Sequence, residues 1–424
     1  MMARSFSEIR AKVDRGEAVV LSAQEVRKIL DEGERLSLED VDVVTCATRA
    51  VMSGTYAVLS FPVAKPGSFL RARRAMLNGV LAEVGPCPNE RLGVVDLMVF
   101  GTASSRDDPK YGGGHVFRDL VEGKDVRVDL ETDAGDAFEV DVGLSEMPHA
   151  RLFGTRHSFK NYSAFVNPSD ERVATIFHAA TFDPCWNGAS VSGCGHLNPI
   201  QNDPFLETIG VGTRVLINGA EGFVLGKGTR SSPEKPNLSG FADMHKMDPE
   251  YMGGFVTSCG PECVSSWAVP IPVTSERIFE SVAAPDRSIP LPVMDVVDRK
   301  EIGKATYGDV WEDADLEVEF DPEACKRCTQ CVPESICPTG AIGFRDWRPT
   351  LDRKRCFNCG LCTTTCVGEV FRAHLGSLRF AGREVPIVVR QSDRLRAERL
   401  AGELKRRVLD GSFKMTEMVE RISP

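Results

Sequence analysis

The chain has 424 residues, of which 42% are hydrophobic and 26% charged, enough for two or three ordinary globular cores. Its formal net charge of −10 argues against sequence-independent binding to nucleic acid, which needs a surplus of Lys and Arg over the phosphates. No run approaches the ~20 apolar residues of a membrane helix, and Met1 to Glu8 turns charged without the apolar stretch of a secretory leader, so a cytoplasmic protein away from membranes is expected.

The first elements are helical. Ser22 and Glu25 are spaced as a capping box, with Val26, Ile29 and Leu30 on one face and Gly33 as the stop. Strand-like apolar runs follow at Val41–Thr45, Val94–Phe100, Arg127–Leu130, Phe138–Val142, Thr213–Ile217 and Gly222–Leu225. Helices between them are too few for strict β-α-β alternation, so the fold class is α+β: a large mixed α/β N-terminal domain. Among these elements, Gly112-Gly113-Gly114-His115 precedes a helix-like stretch. A glycine run there can offer backbone N–H groups to a substrate carboxylate or phosphate, or can simply form a tight turn.

Fourteen cysteines in a large chain expected in a reducing compartment point to metal binding or thiol chemistry ahead of disulfides. Cys46 and Cys87 stand alone and read as structural. Cys185, Cys194, Cys259 and Cys263 lie among glycines and prolines that suggest loops. Together with His196 they are candidates for a further metal or cluster. Alternatively, one of them as a low-pKa thiolate carries a persulfide or attacks a carbonyl. Pro285, Pro290 and Pro292, then an acidic run from Glu312 to Asp321, read as a connector.

The remaining eight cysteines form two runs. Cys325, Cys328 and Cys331 precede Cys337-Pro338, and Cys356, Cys359 and Cys362 precede Cys366. Three cysteines at C-x2-C-x2-C spacing can ligate three irons of one cubane, and in two-cluster ferredoxins the distant cysteine of each run ligates the other cluster. The expected ligand sets of two [4Fe–4S] clusters are therefore Cys325, Cys328, Cys331 and Cys366, and Cys337, Cys356, Cys359 and Cys362. Zinc ribbons pair two C-x2-C knuckles across a longer gap and fit this pattern poorly. Five residues separate Cys331 from Cys337 where three are common, which lengthens a loop without removing a ligand. Beyond the module, Pro386–Val389 reads as a strand. Residues 392–409 read as a docking helix with Ala397, Leu400, Leu404 and Val408 on its apolar stripe and solvated charges opposite. The implied domains are 1–284, a linker 285–320, a bacterial-type two-[4Fe–4S] ferredoxin-like domain 321–372 and a C-terminal strand and helix 373–424.

Longer stretches carry a family resemblance. Gly16–Leu21, Val41–Thr45, Gly112–Lys124, Asn202–Pro204, Ile209–Arg214 and Gly219–Gly226 resemble the archaeal homocysteine-biosynthesis family linked to L-aspartate semialdehyde sulfurtransferase. With the cysteine-rich segment included, the full chain is similar to the methanogenesis-marker metalloproteins of methanogenic archaea. The resemblance implies sulfur insertion into a carbonyl substrate, with a small-molecule sulfur donor and an electron donor or acceptor protein as partners. The family pattern also implies cysteines where this chain has Ala134, after Thr132-Asp133, and near Met52-Ser53. An iron–sulfur enzyme of sulfur metabolism is the expectation. The alternative is a non-enzymatic electron-transfer or accessory metalloprotein that docks a methanogenesis enzyme complex.

Overall fold

The computed structural model describes residues 4–85 and 91–423, so Cys87 lies outside the described residues. Both early helices start as their sequences dictate. The Ser22 side chain accepts from the Glu25 N–H while Glu25 reaches back to the Ser22 N–H, and the same box at Ser5 and Glu8 starts Phe6–Asp14. The helix opened by Ser22 runs Ala23–Asp31 and ends before Gly33 at φ +81°.

The fold is mixed α/β and dominated by sheet. Fourteen strands form one sheet. Its spatial order is Val20–Ser22, Val43–Val51, Gly260–Pro272, Arg214–Ile217, Ala220–Lys227, Leu238–Asp243, His149–His157, Thr55–Pro62, Val94–Phe100, Val80–Val84, Ala72–Leu77, Val126–Thr132 and Ala137–Val142. Gly253–Thr257 pairs to the side with Gly260–Pro272. Val20–Ser22 joins in parallel, whereas Val43–Val51 and Gly260–Pro272 run antiparallel over nine paired residues. Strands such as Thr55–Pro62 alternate buried and half-exposed residues, which sets their register because a one-residue slip would turn the apolar set outward. Two helices cover Val43–Val51 and its neighbours or the hairpin beside them: Arg394–Leu409 and Gly113–Val121. Val116, Phe117, Leu120, Leu400 and Leu404 are fully buried in the same core as the sheet.

A second sheet joins three distant parts of the chain. Its order is Glu301–Thr306, Pro290–Asp295, Ala164–Val166, Ala189–Val191, Arg383–Arg390 and Ser377–Phe380. The proline-rich segment expected to run as a connector therefore carries two paired strands. Pro290 and Pro292 hide this in the sequence because proline lacks a ladder donor, yet Leu291 and Val293 are fully buried between the neighbouring strands. The cysteine-rich segment leaves this sheet after Glu301–Thr306 and returns to it at Ser377–Phe380. Glu319–Phe320 pairs with Phe371–Arg372 at its neck. The segment is thus an insert within the body, and the chain beyond it completes both sheets' packing. On the final helix Ala397, Leu400, Leu404 and Val408 are buried, but so are Arg394 and Arg396, whose charges were expected in solvent. No described helix is long and apolar enough to cross a membrane.

Candidate functional site

The insert holds two cavities, each lined by four cysteines. One, with a volume of about 20 Å³, is lined by Cys337, Cys356, Cys359 and Cys362 together with Ile336, Phe357 and Leu361. The other, about 140 Å³, is lined by Cys325, Cys328, Cys331 and Cys366 with Val332, Val367 and Phe371. Each set draws three sulfurs from one run and the fourth from the other. The chain curls locally because the residue before the second cysteine of each run is left-handed, Arg327 at φ +52° and Asn358 at φ +51°. Gly360, at φ +83°, turns the second run once more, a conformation that glycine adopts without cost. Short helices, Val332–Ile336 and Leu361–Thr364, then carry each run to its fourth cysteine.

The donor set suits a cationic cluster. Backbone N–H groups of Arg327 and Ala341 donate to the sulfurs of Cys325 and Cys337 at 3.4 and 3.3 Å. Burial, then the thiols of the same set, pushes Cys356 up to about 11 and Cys359 and Cys362 well above the ordinary thiol range. Crowded, desolvated thiols of this kind become stable thiolates only opposite positive charge, which bound metal supplies. The sets differ in depth. Cys356 and Cys359 are buried, whereas Cys328 is exposed.

The inner set rests on the body. Phe357 meets Phe255 edge-on at 5.2 Å, and the Arg49 guanidinium lies 5.1 Å from the Phe357 ring centroid. Arg396 donates to the Cys356 carbonyl, the Arg390 N–H to the Cys359 carbonyl at 2.9 Å, and the Val256 N–H to the Pro338 carbonyl at 2.7 Å. Asp393 pairs with both Arg49 and Arg396, all three fully or nearly fully buried. Sequence reasoning missed this network because Arg394-Leu395-Arg396 looks like any solvated helix start, and only the capping Asp393 hints at order there.

The described thiols of the body do not converge. Cys185 and Cys259 are exposed on separate turns, and Cys46, Cys194 and Cys263 are buried. Cys194 contacts Thr48 Oγ1 and the Arg49 carbonyl, and burial pushes it to about 11. Burial takes Cys263, packed under Gly101 beside Thr55, to about 12. His196 uses both ring nitrogens internally: Nδ1 lies 3.0 Å from Asp286, Nε2 3.3 Å from Gln24, and Arg394 lies against the ring. Among the described residues, no three Cys, His, Asp or Glu side chains could share one metal ion.

The glycine run has a packing cause. The N–H groups of Gly112, Gly113 and Gly114 donate to His115 Nδ1, the Ala103 carbonyl and the Gly101 carbonyl. A Cβ on Gly113 would sit 2.1 Å from the Phe100 carbonyl oxygen, and one on Gly114 2.8 Å from that of Gly253. His115 lies over Gly254, and burial lowers it to about 4. The two places where the family pattern implies cysteine are also apart. Ala134 is exposed after Val126–Thr132, and Ser53 turns between strands next to Glu262, a buried carboxyl with Oε2 unpartnered.

A family model described as homocysteine biosynthesis enzyme, sulfur-incorporation, matches residues 18–415, across both sheets, the insert and the last helix. The chain belongs to this sulfur-incorporation family. It is similar to an uncharacterized protein of Methanothermobacter thermautotrophicus, 46% identical over 97% of this chain and 94% of that one. It is also similar to L-aspartate semialdehyde sulfurtransferase of Methanocaldococcus jannaschii, 32% identical over 72% of this chain and 62% of that protein. Over 13% of its length it is 36% identical to an uncharacterized ferredoxin of the same organism, covering 36% of that protein. No solved structure matches the chain.

Proposed function

We propose that the protein is an iron–sulfur enzyme of sulfur metabolism, in which two [4Fe–4S] clusters feed electrons to a reaction that places sulfur in an organic substrate. The observation that carries this is the pair of cavities, each lined by four cysteines drawn crosswise from two runs. Three sulfurs from one run and a fourth from the other suit cubane ligation, whereas zinc ribbons pair two C-x2-C knuckles. When bound, such clusters supply single electrons. The exposed Cys328 makes the outer set the accessible one for a donor protein, and Arg390 and Arg396 brace the inner set against the body. The segment 321–372 carries eight Lys or Arg and six Asp or Glu, net +2 (8 − 6), in a chain of net −10, which suits an acidic one-electron donor.

The similarity to L-aspartate semialdehyde sulfurtransferase supports sulfur insertion as the chemistry. Replacing a carbonyl oxygen by a thiol takes a sulfur donor and two electrons, and a fused pair of clusters answers the second need. Among the described residues Cys185 and Cys259 are the exposed thiols of the body and the first candidates to carry sulfur. The test is anaerobic incubation with sulfide, a low-potential reductant and L-aspartate semialdehyde. Homocysteine formation that is lost in Cys356→Ser supports the reading. A product level equal to that without protein, with both clusters loaded, would exclude this substrate and leave electron transfer to a docked complex as the function.

A further inference from the structure

Three guanidiniums sit behind the inner cysteine set. Arg49, Arg390 and Arg396 are 1%, 1% and 4% exposed, and arginine keeps its charge when buried. Arg49 lies over Phe357, the residue after Cys356, and the other two hold the Cys359 and Cys356 carbonyls. Asp393 answers two of these charges, Arg49 at 3.2 Å and Arg396 at 2.7 Å. Arg390 meets carbonyl oxygens instead, those of Asp315 at 2.6 Å and Leu375 at 3.0 Å. Three buried cations therefore face one buried carboxylate, net +2 (3 − 1). The Nε–H groups of Arg390 and Arg396 are also buried without an acceptor among the described residues. The other buried cations nearby close on carboxylates of their own, Arg394 on Asp286 at 2.6 Å and Arg118 on Glu122 at 2.7 Å.

Uncompensated positive charge in an interior is costly, and an anion beside it offsets the cost. An iron–sulfur group held by the four inner thiolates is such an anion, and its reduced form carries one negative charge more than its oxidised form. Arginines at this place therefore favour the reduced form. Burial alone works the other way, because it penalises the larger charge. The excess of guanidiniums outweighs it, since charges at close range in an interior interact several times more strongly than in water. The outer set has no such backing. Lys326, Arg327, Glu323 and Glu369 around it are exposed, where solvent and salt screen them. Each set also receives a backbone N–H bond at one sulfur, so those bonds do not separate the two.

We propose that Arg49, Arg390 and Arg396 hold the inner cluster at a higher potential than the outer one, so that an electron entering at the exposed outer set passes inward and stays against the body. The inference rests on the iron–sulfur reading. In this step the outer cluster is oxidised and the inner one reduced by one electron; no bond breaks and no proton moves. An external low-potential one-electron donor then reduces the outer cluster again.

Redox titration of the anaerobically reconstituted full-length protein, followed by electron paramagnetic resonance, tests the proposal. The signal that survives in Cys359→Ser identifies the outer cluster. In the wild type the inner signal should appear first, its reduction at least tenfold more favourable, which is about 59 mV for one electron. Arg390→Gln should lower the inner midpoint by at least that amount, and Arg390→Lys, which keeps the charge, should restore most of it. Asp393→Asn removes a negative charge and should raise the inner midpoint at least tenfold. The outer midpoint should stay in place in all three variants. Mere loosening of the fold would move the inner midpoint the same way in Arg390→Gln and Asp393→Asn, so opposite signs are the mark of charge. If Arg390→Gln takes up no iron, the sign of the Asp393→Asn shift decides. An outer signal that appears first, or an inner midpoint that ignores these charges or moves one way in both variants, would overturn the proposal. Iron content separates the two ideas: a loaded protein with such midpoints sinks only the arginine tuning, and a protein that takes up no iron sinks the cluster reading with it.

Discussion

Replacing Asp393 by alanine should be among the most damaging single changes in the body. Its carboxylate is 0% exposed and lies 3.2 Å from Arg49 and 2.7 Å from Arg396, themselves 2% and 4% exposed. Burial already lowers Arg49 to about 10, with Asp393 acting against that trend. Removing one partner of a buried pair leaves an uncompensated charge and costs roughly 3–5 kcal/mol. Asp393 also caps the helix Arg394–Leu409 by accepting from the Arg396 N–H at 3.2 Å, and loss of a cap costs about 1 kcal/mol. The two losses share Arg396 and do not simply add, so about 4 kcal/mol is expected for Asp393→Ala. Asp393→Asn keeps the cap and should cost about 1 kcal/mol less. Anaerobic guanidinium unfolding followed by circular dichroism measures both. A loss below about 1 kcal/mol for Asp393→Ala would refute the view that this network braces the insert against the body.

Further outcomes follow from the same geometry. Cys337→Ser should remove the spectroscopic signature of the inner set and Cys366→Ser that of the outer set, although each lies in the opposite run; Mössbauer spectra of the two variants check the crossing. Gly114→Ala should cost about 1–3 kcal/mol by overpacking, because its Cβ would meet the Gly253 carbonyl oxygen, and thermal melting reads the loss. His157 is buried neutral, with Nδ1 accepting from Trp267 and Nε2 donating to Thr55, and burial lowers it to about 3. The unfolded chain takes up this proton first, so the stability is complete above about pH 6.5 and falls as pH drops towards 3. At pH 5 the loss from this group is about 2 kcal/mol, and His157→Gln should remove that part of the slope in unfolding curves taken from pH 7 to 5, leaving the part due to His115.

What the sequence showed was mostly local. C-x2-C spacing fixes where sulfurs can lie within a few residues, so three members of each cysteine set could be written down from spacing, and the fourth followed from the crossed pattern of two-cluster ferredoxins. The Ser22–Glu25 box and the alternation of Val94–Phe100 act over similarly short distances. The second sheet was hidden because Ala164–Val166, Pro290–Asp295 and Arg383–Arg390 are far apart in sequence and become strands only by pairing. Cysteines flanked by glycine likewise looked alike in sequence, yet Cys194 lies under the sheet and Cys259 on a turn. Gly112-Gly113-Gly114 suits an anion or a close backbone approach equally well, and Phe100, Gly101 and Gly253 decide it.

The central claim is that the crossed cysteine sets hold two four-iron clusters. Iron and acid-labile sulfide, measured on protein purified without oxygen, test it most directly. The account predicts about eight of each per chain, falling to about four in Cys359→Ser. One or two zinc ions per chain, or iron unchanged by that substitution, would contradict it.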